Sequence, residues 1–239
     1  VADTIPAWLA WLENQLTPAY EARTVVPGHD TSHVLRMCTR ATQITHLPDL
    51  DQDELRAAVW FHNMDRAPDL HVSLGELGKR TLDYLAGSPF SEQARQRIAR
   101  AAGEHHAKNG KPDDPSVLTA LRALDRLDRM NALGVLTAAT THGIDKPLYI
   151  PRDPFRYELD EDGQPFSVYD DLAGRIMEFP LLLPPETRYL IDVQGMRDLV
   201  AYVRALAGHA CRAHGLENGA ERDLLKALGP DLYREYGRG

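Results

Sequence analysis

"DQDELRAAVWFHNMDRA", residues 51–67, places one histidine on the inner side of an apolar stripe. At about 100° per residue, His62 lies in line with Leu55, Ala58 and Val59. A helix over 51–64 therefore points this imidazole inward. Asp65 comes three residues later and on a continuous helix shares that side, while Asn63 sits at its edge. Asp51 and Glu54 have the spacing of a capping box at the helix start. A lone inward histidine is more often a hydrogen-bonded core residue than a ligand. The stretch gains meaning only from its neighbours.

Helical period dominates on both sides, and no convincing strand run interrupts it. The pattern predicts helices at about 4–17, 31–46, 51–64, 73–86, 91–107, 115–135, 168–179, 186–214 and 220–229. Pro48 stops the second, and Gly87 with Pro89 separates the fourth from the fifth. "NGKPDDPS" (109–116) is a turn, with Ser116 or Asp114 available to cap the next helix. Residues 140–167 differ: several prolines and no helical period make a long irregular segment, in which "PLYI" and "PFRYEL" are the candidates for a short hairpin. The expected architecture is all-α, a single domain over 1–239. Its core spans about 20–138, an irregular insertion about 140–167, and C-terminal helices about 168–236.

Three apolar stripes are broken by polar side chains. In "PSVLTALRALDRLDRMNALGVL", Val117, Leu118, Leu121, Leu124, Ala132, Val135 and Leu136 form one face. Arg122, Arg126 and Arg129 fall outside it, but Asp125 and Asp128 fall inside. Two inward carboxylates are costly unless each has a partner, either arginine or a metal. In "DTSHVLRMCTRATQITHL", His33 shares a face with Met37, Ile44 and Leu47, with Arg36 and Arg40 beside it. "GEHHAKNG" ends another helix with His105, His106 and Lys108; adjacent histidines diverge by about 100°, so one of the two faces a given pocket. Inward His, inward His and inward Asp on successive helices make a set of nitrogen and oxygen donors suited to a divalent ion.

Composition narrows the classes. The formal net charge of −8 disfavours nonspecific binding to nucleic acid or an anionic membrane. Two distant cysteines, Cys38 and Cys211, form neither a disulfide framework nor a zinc motif, which fits reduced thiols in a cytoplasmic protein. No run approaches the roughly 18 apolar residues of a spanning helix. The first residues, "VADTIPAWLAWLENQL", read as an amphipathic helix and not a signal peptide.

In order and spacing, these motifs resemble those of the HD-domain metal-dependent phosphohydrolase superfamily, in its small single-domain bacterial branch. "HDTSHVLRM" is similar to the first motif, with the metal histidine at His33; the literal His29–Asp30 pair lies in the loop before it. "AAVWFHNMDR" matches the stretch that carries the His-Asp dipeptide, here His62 and Asn63. "ALDRLDRMNALG" resembles the last motif, with its ligand at Asp125. The resemblance covers roughly 28–215 and implies a helical bundle holding a divalent ion (Mn, Mg, Zn, Fe or Ni) through His33, His62, Asn63 and Asp125. It implies hydrolysis of a phosphate ester of a nucleotide or small metabolite. Asp65 or Asp128 would orient or deprotonate water, and Arg36, Arg66, His105 and Lys108 would bind phosphate. Asn63 replaces a charged ligand by a neutral one, which weakens the ion's hold and disfavours a two-metal site. The alternatives are a degenerate member that binds a nucleotide or partner without catalysis, and an HD-fold oxygenase with a di-iron centre; the missing carboxylate argues against the latter.

Overall fold

The computed structural model describes residues 4–22, 25, 28–107, 110–130, 182–196, 198, 199 and 202, with the backbone of 157–159 and 165–167. The fold is all-α. The expected helices at 168–179 and 220–229, most of the one at 186–214, Lys108 and Cys211 lie outside the described residues. The chain divides into two compact units. One comprises Val1–Asp128 with Leu182–Leu190, the other Arg129–Leu181 with Ile191–Gly239.

In the first unit six helices follow one another: α1 (Ile5–Tyr20), α2 (Thr31–Ala41), α3 (Gln52–Phe61), α4 (Leu77–Leu85), α5 (Glu92–Glu104) and α6 (Ser116–Arg129). Three short 3-10 turns, Met64–Arg66, Pro68–Leu70 and Leu74–Glu76, link α3 to α4. The helix α3 is the hub. It packs against α1, α2 and α5, and α4 packs along α5. Its sequence explains this position, since Leu55 and the run Ala57–Phe61 are all buried. Trp8 of α1 packs edge-on against Phe90 at 5.6 Å and tilts against Phe61 at 6.4 Å. Gly78 and Gly103 allow α4 and α5 to approach, because a Cβ on Gly103 would lie 3.3 Å from the Gly78 Cα.

Helix starts follow side-chain chemistry. Asp30 caps α2 by accepting from the His33 N–H at 3.1 Å. Asp51 accepts from the Asp53 and Glu54 N–H groups. The reciprocal arm of the expected capping box is not made, because Glu54 turns to the Arg97 guanidinium, at 2.8 Å from Nε. Neither proposed cap of α6 shows that role: Ser116 Oγ donates to the Pro48 carbonyl at 2.6 Å, and Asp114 holds arginines.

Helix ends depart from the periodic reading at α1, α2 and α3, and α5 stops at Glu104, three residues before the expected 107. The helix α1 runs past the expected stop at 17, through Pro18 to Tyr20. Its last turn buries Tyr20 against α3, and that packing outweighs the hydrogen bond a proline cannot donate. The helix α2 ends at Ala41, five residues before the expected boundary. The helix α3 ends at Phe61 with His62 as its C-cap, so Met64–Arg66 form a separate turn. Asp65 therefore does not project from the same helix as His62, and the i, i+3 geometry expected for the pair is absent.

In the second unit, Tyr157–Leu159 (β1) pairs antiparallel with Pro165–Ser167 (β2), with Glu158 opposite Phe166. The hairpin lies in the irregular segment, and β1 falls within "PFRYEL". Residues 193–196, 198, 199 and 202 are helical, and the Gly195 N–H donates to Asp192 at 2.9 Å. Among the described residues no helix is long and apolar enough to cross a membrane.

Candidate metal centre

Three helices deliver the donors. His33 sits in the first turn of α2, His62 at the end of α3, and Asp125 near the end of α6. One ligating atom from each lies within 4.8 Å of the others. The His33 and His62 Nε2 atoms are 3.2 Å apart, and Asp125 Oδ1 is 3.5 Å from His33 Nε2. These are the three residues whose convergence the broken stripes predict.

The second nitrogen of each ring is already engaged. His62 Nδ1 lies 2.6 Å from the Val59 carbonyl, an oxygen that can only accept, so Nδ1 carries the proton and Nε2 presents its lone pair. His33 Nδ1 lies 2.7 Å from Asp128 Oδ2 and donates to it. This arrangement, an acceptor behind each imidazole, orients rings that ligate a metal.

The local charges differ sharply. Burial pushes the His33 imidazole down, but hydrogen bonds and charge from Asp125 and Asp128 more than offset it, and its pKa is raised. Burial together with the neighbouring His105 and His33 holds His62 well below the usual range, so this ring is neutral at pH 7. Burial would raise the Asp128 carboxyl, yet His33 and Arg36 bring it down to about 2.

The other expected residues separate into groups. Asp128 is fully engaged: besides His33, it accepts from Arg36 Nε at 2.9 Å and from a terminal Arg36 nitrogen at 2.7 Å. Arg36, expected to bind phosphate, holds this carboxylate in a two-pronged grip. Asp65 pairs with Arg66 Nε at 3.2 Å and lies 3.9 Å from His106 Nε2. Burial raises its carboxyl, against the pull of Arg66 and His106, and its Oδ1 has no hydrogen-bond partner. The His105 ring meets His62 edge-on at 5.2 Å and lies tilted against His106 at 3.7 Å. His105 is buried beside His62, whereas His106 is exposed and faces Asp65, so one of the pair turns to the centre, as the 100° argument expects.

Asn63 is wholly buried, and neither its amide nitrogen nor its amide oxygen has a hydrogen-bond partner. Such a group costs about 1–3 kcal/mol where nothing compensates it. A buried carbonyl oxygen with no donor, next in sequence to a neutral imidazole, fits a ligand position for a hard or borderline cation.

Sequence reasoning passed over two features. His29 is buried, and its ring centroid is 6.1 Å from that of His33. It extends the row of imidazoles, although its position in a loop gave no periodic signal. Arg122 and Arg126, expected outside the apolar stripe, are 3% and 8% exposed. Arg122 is held by Asp114 and donates to the Glu104 carbonyl at 3.0 Å. Arg126 donates to the carbonyls of Ala107, at 3.2 Å, and Leu182. Their partners come from other segments of the chain, and a helical period cannot show them.

No family model matches the chain, and no curated protein matches it significantly. Solved structures do share its fold. A protein of Lactobacillus plantarum superposes with a TM-score of 0.62 at 15% identity, over 85% of this chain and 96% of its own. The Lin1889 protein of Listeria innocua gives 0.61 at 15% identity, over 90% of this chain and 99% of its own. Bacillus subtilis YpgQ, solved in complex with ADP, gives 0.57 at 16% identity, over 85% and 96%. Likeness at these identities establishes the fold alone.

Proposed function

We propose that the chain is a divalent-metal-dependent hydrolase of phosphate esters, of the HD-domain type, acting on a nucleotide or small phosphorylated metabolite. The observation that carries this reading is the convergence of two imidazole Nε2 atoms with the Asp125 carboxylate, each ring backed by an acceptor. His33, His62, Asp125 and the buried amide of Asn63 would hold the ion. Such an ion supplies Lewis acidity toward a phosphoryl oxygen and a water molecule. YpgQ, a structural neighbour solved with ADP, supports a nucleotide as the ester.

The chain's own residues divide the remaining work. Asp128 keeps the His33 tautomer that leaves Nε2 available, and Arg36 neutralises the carboxylate that does so. With both its oxygens engaged, Asp128 is a holding group in this reading. Asp65 keeps Oδ1 without a hydrogen bond and takes the role of orienting water. Arg66 and Lys108 would supply donors to the phosphate, and His105 would join them when its ring is protonated, since its Nδ1 proton already goes to the Ala102 carbonyl. A second reading, a protein that binds a nucleotide without turnover, is favoured by one feature: Asn63 leaves Asp125 as the sole carboxylate of the donor set.

Two measurements test these readings together. Elemental analysis of protein purified without chelators should show close to one divalent ion per chain. Phosphate release from a panel of nucleotides and a chromogenic ester should require that ion. Metal without turnover selects the binding reading; neither metal nor turnover removes the metal reading.

A further inference from the structure

We infer that Tyr20 is a positioning residue for the His62–Asn63 turn, and through that turn a determinant of metal affinity. The inference rests on the metal reading above. Tyr20 is wholly buried at the end of α1, forty residues from the turn it reaches. Its hydroxyl donates to the Trp60 carbonyl at 2.6 Å. The Asn63 backbone N–H faces the same oxygen and favours its charged form. Its ring tilts against Trp60 at 6.2 Å.

These two backbone groups bracket His62. The Trp60 carbonyl belongs to the peptide unit entering Phe61, and the Asn63 N–H to the unit leaving His62. Helices commonly end on a left-handed glycine, whose turn satisfies the last carbonyls. Here no glycine follows α3, and Asn63 has φ −113°, outside the left-handed region. One phenol from another helix takes over part of that role. The phenol thus anchors the backbone before His62 and faces the N–H after it, while the Val59 carbonyl fixes its ring. The 3.2 Å approach of the two Nε2 atoms depends on both constraints. Loosening the backbone clamp swings His62 Nε2 away from His33 without removing a ligand.

Tyr20→Phe deletes one oxygen and keeps the ring. A matched control is Thr81→Val, which removes another buried side-chain bond to backbone, from Thr81 Oγ1 to the Leu77 carbonyl at 2.8 Å on α4. The probe is Co²⁺, titrated into chelator-treated full-length protein and followed by its visible absorption bands, beside a thermal melt of each metal-free variant. Groups that orient a ligand from behind typically contribute 10–100-fold in affinity. The expected result is a Co²⁺ dissociation constant weakened about 10-fold or more in Tyr20→Phe, with shifted bands, and unchanged in Thr81→Val even where the two melt alike. In the metal-free protein, the Asn63 amide proton should also exchange faster in Tyr20→Phe than in wild type. Equal Co²⁺ affinity in Tyr20→Phe and wild type, or an equal loss in Thr81→Val, overturns the inference. A wild type that takes up no cobalt overturns the metal reading and the affinity role with it. Unchanged exchange at Asn63 overturns the clamp itself.

Discussion

Two buried polar clusters lie in the first unit, and they are satisfied in opposite ways. Around Asp114, charge meets charge. Its carboxylate is held by Arg122, by Arg100 at 2.9 Å and by the Lys111 N–H at 2.8 Å. Around His62, donors meet donors. Two Nε2 atoms face each other, a carboxylate stands beside them, and a buried amide has no partner. The first arrangement is complete as protein and its work is structural. The second leaves lone pairs facing one another, and this is what makes it the candidate metal centre. Burial alone does not distinguish them; the pattern of partners does.

The comparison breaks most decisively at the ligands. His62→Ala or Asp125→Ala should weaken Co²⁺ or Mn²⁺ binding by more than about 100-fold, since a lost ligand costs more than a lost supporting group. Calorimetric titration checks this, and binding within a few-fold of wild type would dismantle the site.

At the other cluster the large effect is on stability. Asp114→Asn should cost about 3 kcal/mol, because it leaves a buried guanidinium without its carboxylate, while metal binding stays intact. Denaturant melts supply the number. Burial would raise the Asp114 carboxyl, but the Lys111 N–H, Arg122 and Arg100 together bring it below the usual range. A carboxyl lowered by folding stabilises above its unfolded pKa, and the contribution is lost as pH falls through the folded value. The gap between wild type and Asp114→Asn should therefore be full at pH 7 and narrow below about pH 4. A gap that is constant with pH would mean that the carboxylate's charge is not what matters.

Asp65→Asn sharpens the contrast from between the clusters. If this residue orients water, turnover falls roughly 100-fold or more while the melt barely moves. A plain ion pair with Arg66 gives the reverse, up to about 1 kcal/mol of stability and unchanged turnover. Paired rates and melts on the same preparations separate the two.

The smallest expected change is a gain. Asn63→Asp adds a carboxylate beside His62 and should tighten Mn²⁺ by about 10-fold, or 1.4 kcal/mol. It should also destabilise the metal-free protein, where the new charge is buried without a partner. No gain in Mn²⁺ affinity would place position 63 outside the donor set, or mean that Asp65 already supplies the charge.

Much of this centre was legible in the residues themselves. His33, His62 and Asp125 broke apolar stripes, and periodicity is a statement about direction, so their convergence followed once the helices packed. What periodicity could not supply was the end of each helix. Asp65 seemed to share a face with His62 because α3 was read as continuing to 64; three residues of 3-10 turn rotate it toward Arg66 instead. Tyr20 was missed because Pro18 reads as a stop, and tertiary packing carried α1 one turn beyond it. Arg122 and Arg126 were read only as lying outside the apolar stripe, because their partners, distant backbone carbonyls and the Asp114 carboxylate, have no period. His29 lies in a loop, where direction has no period to reveal it. Ligand identity, in short, is written in single helices, whereas the groups that hold the ligands belong to pairs of segments.

The return of Leu182–Leu190 to the first unit has a consequence for biosynthesis. Tyr189 donates to the Gln43 carbonyl at 2.8 Å and accepts from the Thr45 N–H at 3.1 Å, and Arg126 waits on the Leu182 carbonyl. These partners are separated in the chain by up to 146 residues. The whole of Arg129–Leu181 must be translated between them. At ordinary elongation rates of about 5–20 residues per second, that interval lasts roughly 3–10 s. During it the candidate ligands have all been made, yet the segment that ties down α6 and the turn after α2 has not. A chain released before Leu182 would carry the candidate donor set without the segment that latches Gln43, Thr45 and Arg126.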